Sequence, residues 1–94
     1  MSYKVHTIIF NKDKNTLEDV VDFLARHDKK IKKITLEGNF YRARQLSPEY
    51  LKRIGFTEYR TITLDEDNDI KMVIAYKKDR EIKGGLIMTK SKYL

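Results

Sequence analysis

The chain of 94 residues contains no cysteine, no tryptophan, one proline and four glycines. Without cysteine it can form no disulfide bond, thiolate nucleophile or zinc-thiolate site, which excludes those classes of protein and reaction. No apolar segment approaches the roughly 20 residues of a membrane-spanning helix, and the first residues lack the long hydrophobic segment of a signal peptide. We therefore expect a cytoplasmic protein without a membrane partner.

The length suits one small domain, because a domain usually needs roughly 100 to 150 residues. Hydrophobic residues make up 40% of the chain and charged residues 36%, a polar composition that still includes many aromatic and β-branched residues. We predict a single folded domain over residues 1–80. Residues 81–94, with Gly84 and Gly85 followed by apolar residues, are predicted to be a C-terminal tail or arm.

Alternating apolar and polar residues predict the strands, and turn residues separate them. Gly38 and Asn39 suit a tight hairpin, and an acidic turn over residues 65–69 suits a second one. The predicted strands are residues 3–10, 31–36, 40–46, 58–64 and 70–77.

Two helices are predicted between these strands. The first has Asn15 as its cap, with Glu18 completing a capping box, and an apolar stripe of side chains at helical spacing. The second, shorter helix starts at Ser47-Pro48 and stops at Gly55. The fold class is therefore α+β, with a mainly antiparallel sheet of four to five strands and one amphipathic helix packed on one face. The apolar stripe of the first predicted helix comprises Leu17, Val20, Val21, Leu24 and His27, with Phe23 beside them.

The positive charge of the chain is concentrated in its middle third. Residues 29–60 hold nine basic and three acidic side chains, an excess of six that equals the net charge of +6 of the whole chain. Concentrated positive charge attracts polyanions over about 10 Å at 0.1 M salt. The excess favours an anionic partner, although solvated lysines and arginines that only keep the protein dispersed would give the same count.

Arg42 and Arg44 form the most informative pair in this segment. Strand alternation puts both on one side, with their Cα atoms about 7 Å apart. Two guanidinium groups at that spacing can grip successive phosphates, with Phe40 or Tyr41 as stacking platforms for bases. Alternatively, the arginines pair with carboxylates of neighbouring strands or of a partner subunit. Arg60 is predicted at the rim of a buried face, where it suits either role.

Other possible sites have simpler explanations. The acidic turn 65–69 is rich in carboxylates, but Ile70 and Tyr76 stand where a calcium loop needs Gly and Glu, so we expect a solvated turn. His6 and His27 are the two histidines, and neither has a second ligand at recognised metal spacing. We expect no metal, no cofactor and no enzymatic activity.

One resemblance rests on three segments, Tyr41 to Pro48, Tyr59 to Leu64 and Ile70 to Ile74, and covers residues 3 to 77. With these segments the chain resembles small uncharacterised proteins encoded by tailed phages and large DNA viruses. It implies a viral or phage origin, a location inside the host cell or in the virion, and a non-enzymatic accessory role. The group has no settled activity, so no catalytic residue is carried over.

The leading hypothesis is a small basic accessory protein that binds nucleic acid through backbone phosphates, without sequence specificity. The alternative is a virion or assembly protein that forms homo-oligomers through residues 84–94. The residues predicted to contact nucleic acid are Arg42, Arg44, Arg60, Lys32, Lys33, Lys52, Arg53, Phe40 and Tyr41.

Overall fold

The computed structural model describes residues 2–77, which form one five-stranded antiparallel sheet and two helices. The predicted α+β class is confirmed. The strand order is β2-β3-β1-β5-β4, so the first strand of the chain lies at the centre of the sheet. The elements are β1 (Tyr3–Asn11), α1 (Leu17–Arg26), β2 (Ile34–Glu37), β3 (Phe40–Arg44), α2 (Pro48–Arg53), β4 (Glu58–Asp65) and β5 (Ile70–Tyr76).

Helix α1 begins one residue later than the sequence predicted. Thr16 is the cap: its hydroxyl accepts a hydrogen bond from the Asp19 backbone N–H at 3.1 Å, and the Asp19 carboxylate accepts one from the Thr16 N–H at 2.9 Å. The capping box therefore uses Asp19 instead of Glu18. Asn15 is 7% exposed, and its amide donates to the backbone carbonyls of Asn11 and Asn68.

The main core lies between α1 and one face of the sheet. Val20 and Leu24 of the helix are fully buried against Ile8 and Phe10 of β1, and the Phe23 ring meets the Phe10 ring edge-on at 5.4 Å. Burying each large side chain contributes roughly 1.5–3 kcal/mol. The buried part of the predicted apolar stripe is shorter than expected, because Leu17 at the start of the helix is 50% exposed.

The hairpin of β2 and β3 has the predicted turn, with Gly38 at a φ of 60°. Strand β2, however, starts at Ile34 and not at Ile31. The Gln45 side chain explains this difference, because its amide oxygen accepts from the Lys30 N–H at 2.8 Å and its amide nitrogen donates to the Lys30 carbonyl at 2.9 Å. These two bonds hold the connector around Lys30 outside the sheet.

Helix α2 covers one end of the opposite sheet face, where the sequence did not place it. The Ser47 hydroxyl accepts from the Tyr50 N–H at 3.2 Å, Pro48 opens the helix, and Gly55 follows it at a φ of 87°. Leu51 packs with Phe56 and with Ala75 of β5 in a second, smaller core.

The turn between β4 and β5 is organised by hydrogen bonds to its own carboxylates. Asn68 donates to Asp65 through its backbone N–H at 3.1 Å and its side-chain amide at 2.9 Å, which lowers the pKa of the Asp65 carboxyl. The Asn11 amide donates to Asp69 at 3.0 Å and is the main cause of the lowered pKa of the Asp69 carboxyl.

The predicted tail, residues 81–94, lies outside the described residues. Within residues 2–77, neither helix is long and apolar enough to cross a membrane.

We expect Asn15→Ala to lower the free energy of unfolding by about 1–3 kcal/mol, because at a buried position the Asn68 carbonyl loses its donor and the Asn11 carbonyl keeps only the Lys14 N–H. Urea denaturation followed by circular dichroism measures this change. Lys12→Ala, at an exposed position near the same turn, is the control. Equal stability of the two variants would contradict the structural role of Asn15.

We expect Asp69→Asn to reduce the pH dependence of the free energy of unfolding at acid pH. A carboxyl with a lowered folded-state pKa stabilises the fold above its ordinary value of 3.8, and this contribution is lost as the pH falls through the folded-state pKa. An amide does not titrate, and asparagine tolerates the φ of 51° at this position. Urea denaturation between about pH 5 and pH 2.5 should show a smaller loss of stability in the variant than in the wild type.

Candidate nucleic-acid interface

The pairing of β3 with β1 decides where the two central arginines lie. Arg44 pairs with Thr7 and Arg42 pairs with Ile9, while Ala43 between them is fully buried under α1. Side chains of directly paired residues lie on the same side of a sheet. Arg42 and Arg44 therefore both lie on the sheet face opposite α1, which we call the arginine face.

A third cation, Lys71, lies on this face in β5. The register aligns Thr35, Arg42, Ile9, Lys71 and Thr63 in one row across all five strands. Two inter-strand spacings separate Arg42 from Lys71, about 10 Å between Cα atoms. The Lys71 ammonium lies 3.3 Å from an Asp69 carboxylate oxygen, an ion pair at the edge of the face.

An irregularity in β1 brings His6 to the same face. Val5 pairs with Ile74 and Thr7 pairs with Val73, so His6 is an extra residue in the ladder. Such a β-bulge redirects a side chain that strict alternation would send to the other face. The His6 Nδ1 lies 2.8 Å from the Leu46 carbonyl oxygen, which fixes the ring beside the cluster of arginines. Because that carbonyl only accepts, Nδ1 carries the hydrogen.

Of these side chains, Arg42, Arg44 and His6 line a concavity of about 530 Å³ on the arginine face. Its polar groups are mostly hydrogen-bond donors: two guanidinium groups, an ammonium and two hydroxyls, with one carboxylate at the rim. This set of groups suits an anion of phosphate size. The lining residues are His6, Thr7, Lys33, Thr35, Glu37, Arg42, Arg44 and Pro48.

The carboxylate neutralises the arginines only in part. Arg42 Nε lies 3.8 Å from Glu37 Oε1, with the two side chains 38% and 65% exposed. A pair this long and this accessible contributes roughly 0–1 kcal/mol and is easily exchanged for a better anion. Arg44 is exposed and makes no ion pair with any residue of 2–77. The alternative of full carboxylate pairing on the neighbouring strands therefore does not describe Arg44.

Of the other lysines and arginines predicted to bind nucleic acid, some lie near the concavity and one lies on the other face of the sheet. Lys33 lines the concavity, and Lys32 beside it is exposed in the connector before β2. Lys52 and Arg53 are exposed in the last turn of α2, the helix that packs on the arginine face. Arg60 pairs with Ile74 of β5, two residues along from Met72 of the α1 core, so it lies on the opposite sheet face.

The two predicted aromatic platforms lie on different faces. Phe40 is 38% exposed and alternates with Arg42 and Arg44, so it lies on the arginine face. Tyr41 is half-buried and packs against the α1 core. Only Phe40 of this pair is therefore available beside the arginines.

Four of the contributing side chains were not among the residues predicted from the sequence. Thr35 and Lys71 stand at alternating positions of their strands, but their faces depend on pairing partners that a single sequence does not give. Thr7 and His6 meet on one face because of the β-bulge, which breaks the alternation used to assign faces. Periodicity alone contains no signal for that bulge.

A larger groove, of about 730 Å³, runs beside α1 on the other face of the sheet. Its lining has equal numbers of cations and carboxylates, and Arg26 already pairs with Asp22 at 3.4 Å. It therefore offers no preference for a polyanion. The charged lining residues are Lys14, Arg26, Lys29, Asp19, Asp22 and Asp65.

Residues 2–77 contain no group of three or more histidines, aspartates and glutamates placed to hold a metal ion.

In comparisons with known proteins, no family model, no curated protein and no solved structure matches this chain.

Proposed function

We propose that this protein binds nucleic acid through its phosphate backbone, using the arginine face and without reading base sequence. The observation that carries the proposal is the placement of Arg42 and Arg44 side by side on an open face, with Arg44 free of any ion pair within the described residues. Lys33 in the same concavity adds positive charge, whereas the charge of Lys71 in the same row is paired with Asp69.

Guanidinium chemistry suits this task because each planar fork can donate two parallel hydrogen bonds to one phosphate. The Cα atoms of the two arginines are about 7 Å apart, so their flexible side chains can reach two phosphates of one strand. Contacts to phosphates hold a nucleic acid in place but carry no sequence information. The expected interaction is therefore general and sensitive to salt.

Arg60 is not part of this proposed contact, because it lies on the opposite sheet face. Lys52 and Arg53 remain in it as exposed cations of α2, at the same side of the sheet as the concavity. Lys32 remains as the exposed neighbour of Lys33. Tyr41 leaves the proposed set because it packs in the core.

Arg44→Gln should weaken binding more than Arg60→Gln, although both remove one positive charge from an exposed strand position. Fluorescence anisotropy with labelled oligonucleotides over a salt series measures the difference. Each lost phosphate contact should reduce the slope of log affinity against log salt by about 0.9 on a duplex or about 0.7 on a single strand. We expect that reduction for Arg44→Gln and an unchanged slope for Arg60→Gln.

Two outcomes would contradict this assignment. Absence of binding at about 50 mM salt, or affinity that does not respond to salt, would remove the nucleic-acid proposal itself. Equal weakening by the two substitutions would show that net charge alone matters and that the arginine face is not the contact surface.

Assembly through residues 84–94 stays a prediction, because that segment lies outside the described residues. Light scattering on the full chain and on a chain ending at residue 83 tests it. A smaller assembly after truncation would support the prediction, and an unchanged monomer would remove it. The viral origin, the location inside the host cell and the absence of enzymatic activity also stay predictions.

A further inference from the structure

We infer that the arginine face binds single-stranded nucleic acid in preference to duplex, with Phe40 and Tyr59 stacking on unpaired bases at either end of the cationic cluster. This cluster comprises Arg42, Arg44 and Lys33. This inference rests on the proposed function and specifies its substrate class. Its new element is Tyr59, which the charge pattern of the sequence did not single out. The position, exposure and surroundings of these two rings support it.

Both rings lie on the arginine face and reach solvent. Phe40 follows the alternation of Arg42 and Arg44 in β3, and Tyr59 pairs with Ala75, whose side chain belongs to the small core under α2. Phe40 is 38% exposed and Tyr59 is 43% exposed. Because they are partly exposed, each offers part of its surface to a base.

The cluster of cations lies between the two rings. Phe40 is two residues from Arg42 along β3, about 7 Å between Cα atoms, and Arg44 is the same distance further on. Tyr59 lies three strands away from β3 and beyond the level of Arg44. The two rings are therefore separated by about 20 Å along the strands and about 14 Å across them, a path long enough for several nucleotides.

Short side chains cover the sheet between the rings. Thr7 and Val73 share a row with Arg44, and Thr63 ends the row of Arg42. Thr61 and Thr63 are exposed, whereas Thr7 is only 3% exposed. A flexible strand can therefore approach the sheet closely over β4, while the longer arginine and lysine side chains around Thr7 reach its phosphates.

Tyr59 is held in place by a neighbour. Its ring meets the His6 ring edge-on at 5.4 Å, and His6 is fixed in turn by its hydrogen bond to the Leu46 carbonyl. A ring that is already oriented loses less conformational entropy on binding. His6 also lines the concavity that holds Arg42 and Arg44, so one side chain connects the stacking position to the cationic cluster.

Stacking distinguishes the two kinds of nucleic acid. In a duplex the base faces already stack on each other, whereas the bases of a single strand can be splayed out and stacked on aromatic side chains. Phosphate contacts alone would serve both kinds. Exposed rings on either side of the cations add affinity only when the bases are free.

The experiment compares a labelled oligonucleotide alone with the same oligonucleotide annealed to its complement, at one salt concentration. The substitutions Phe40→Leu and Tyr59→Leu keep an apolar side chain and remove the ring. Tyr3→Leu is the matched control, because Tyr3 is 53% exposed and lines the groove beside α1 on the other face. Thermal melting of each variant checks that it folds.

We expect the single strand to bind at least about tenfold more tightly than the duplex. Each of Phe40→Leu and Tyr59→Leu should weaken single-strand binding about fivefold or more, the lower end of the range for loss of one stacked base, and leave duplex binding unchanged. Quenching of a 2-aminopurine base in the bound oligonucleotide should decrease in the same two variants. Tyr3→Leu should change none of these measurements.

Equal affinity for the two forms, or ring substitutions that behave like Tyr3→Leu, would overturn this inference. The proposed function would survive that result as long as Arg44→Gln still weakens binding more than Arg60→Gln. Failure of both nucleic acids to bind would instead remove the proposed function, so the two failures are distinguishable.

Discussion

The register between β1 and β3 is the constraint on which the candidate site depends. Ala43 is fully buried and lies between two arginines, so the pairing of Thr7 with Arg44 places a small side chain under α1 and both guanidinium groups in solvent. A slip of one residue would reverse every side chain of β3 and put two charges into the core. Desolvating an unpaired charge costs several kcal/mol, so the core itself fixes the direction of the arginines.

The two helices cover opposite faces of the sheet to different extents. Helix α1 has ten residues and packs on the central strand through Val20 and Leu24, whereas α2 has six residues and covers one end of the other face through Leu51. The rest of that face has mainly threonines and cations, with the partly exposed Ile9, Val73, Phe40 and Tyr59 among them. The arginine face is thus accessible because one helix is short, and its polarity is consistent with that exposure.

Much of the fold followed from local signals in the sequence. The turn at Gly38, the start of α2 at Ser47-Pro48 and the last hairpin were predicted because a few adjacent residues determine them. The cap at Asn15 and the start of β2 at Ile31 were wrong because distant partners decide them. The Asn15 amide donates a hydrogen bond to the distant Asn68 carbonyl, and the Gln45 side chain accepts one from the Lys30 backbone N–H. The same limit applies to the site: alternation placed Arg42 and Arg44 together, but the face of Arg60 depended on its pairing with Ile74.

The amide of Asn15 also bears on the order in which this chain folds. Its bond to the Asn68 carbonyl joins residues 53 positions apart, whereas its bond to the Asn11 carbonyl spans only four. The short-range bond can form as soon as the first turn closes, but the long-range bond must wait until β5 has docked against β1 and the entropy of a long loop has been lost. One side chain therefore connects a local turn next to β1 to the docking of β5, the strand most distant from β1 along the chain.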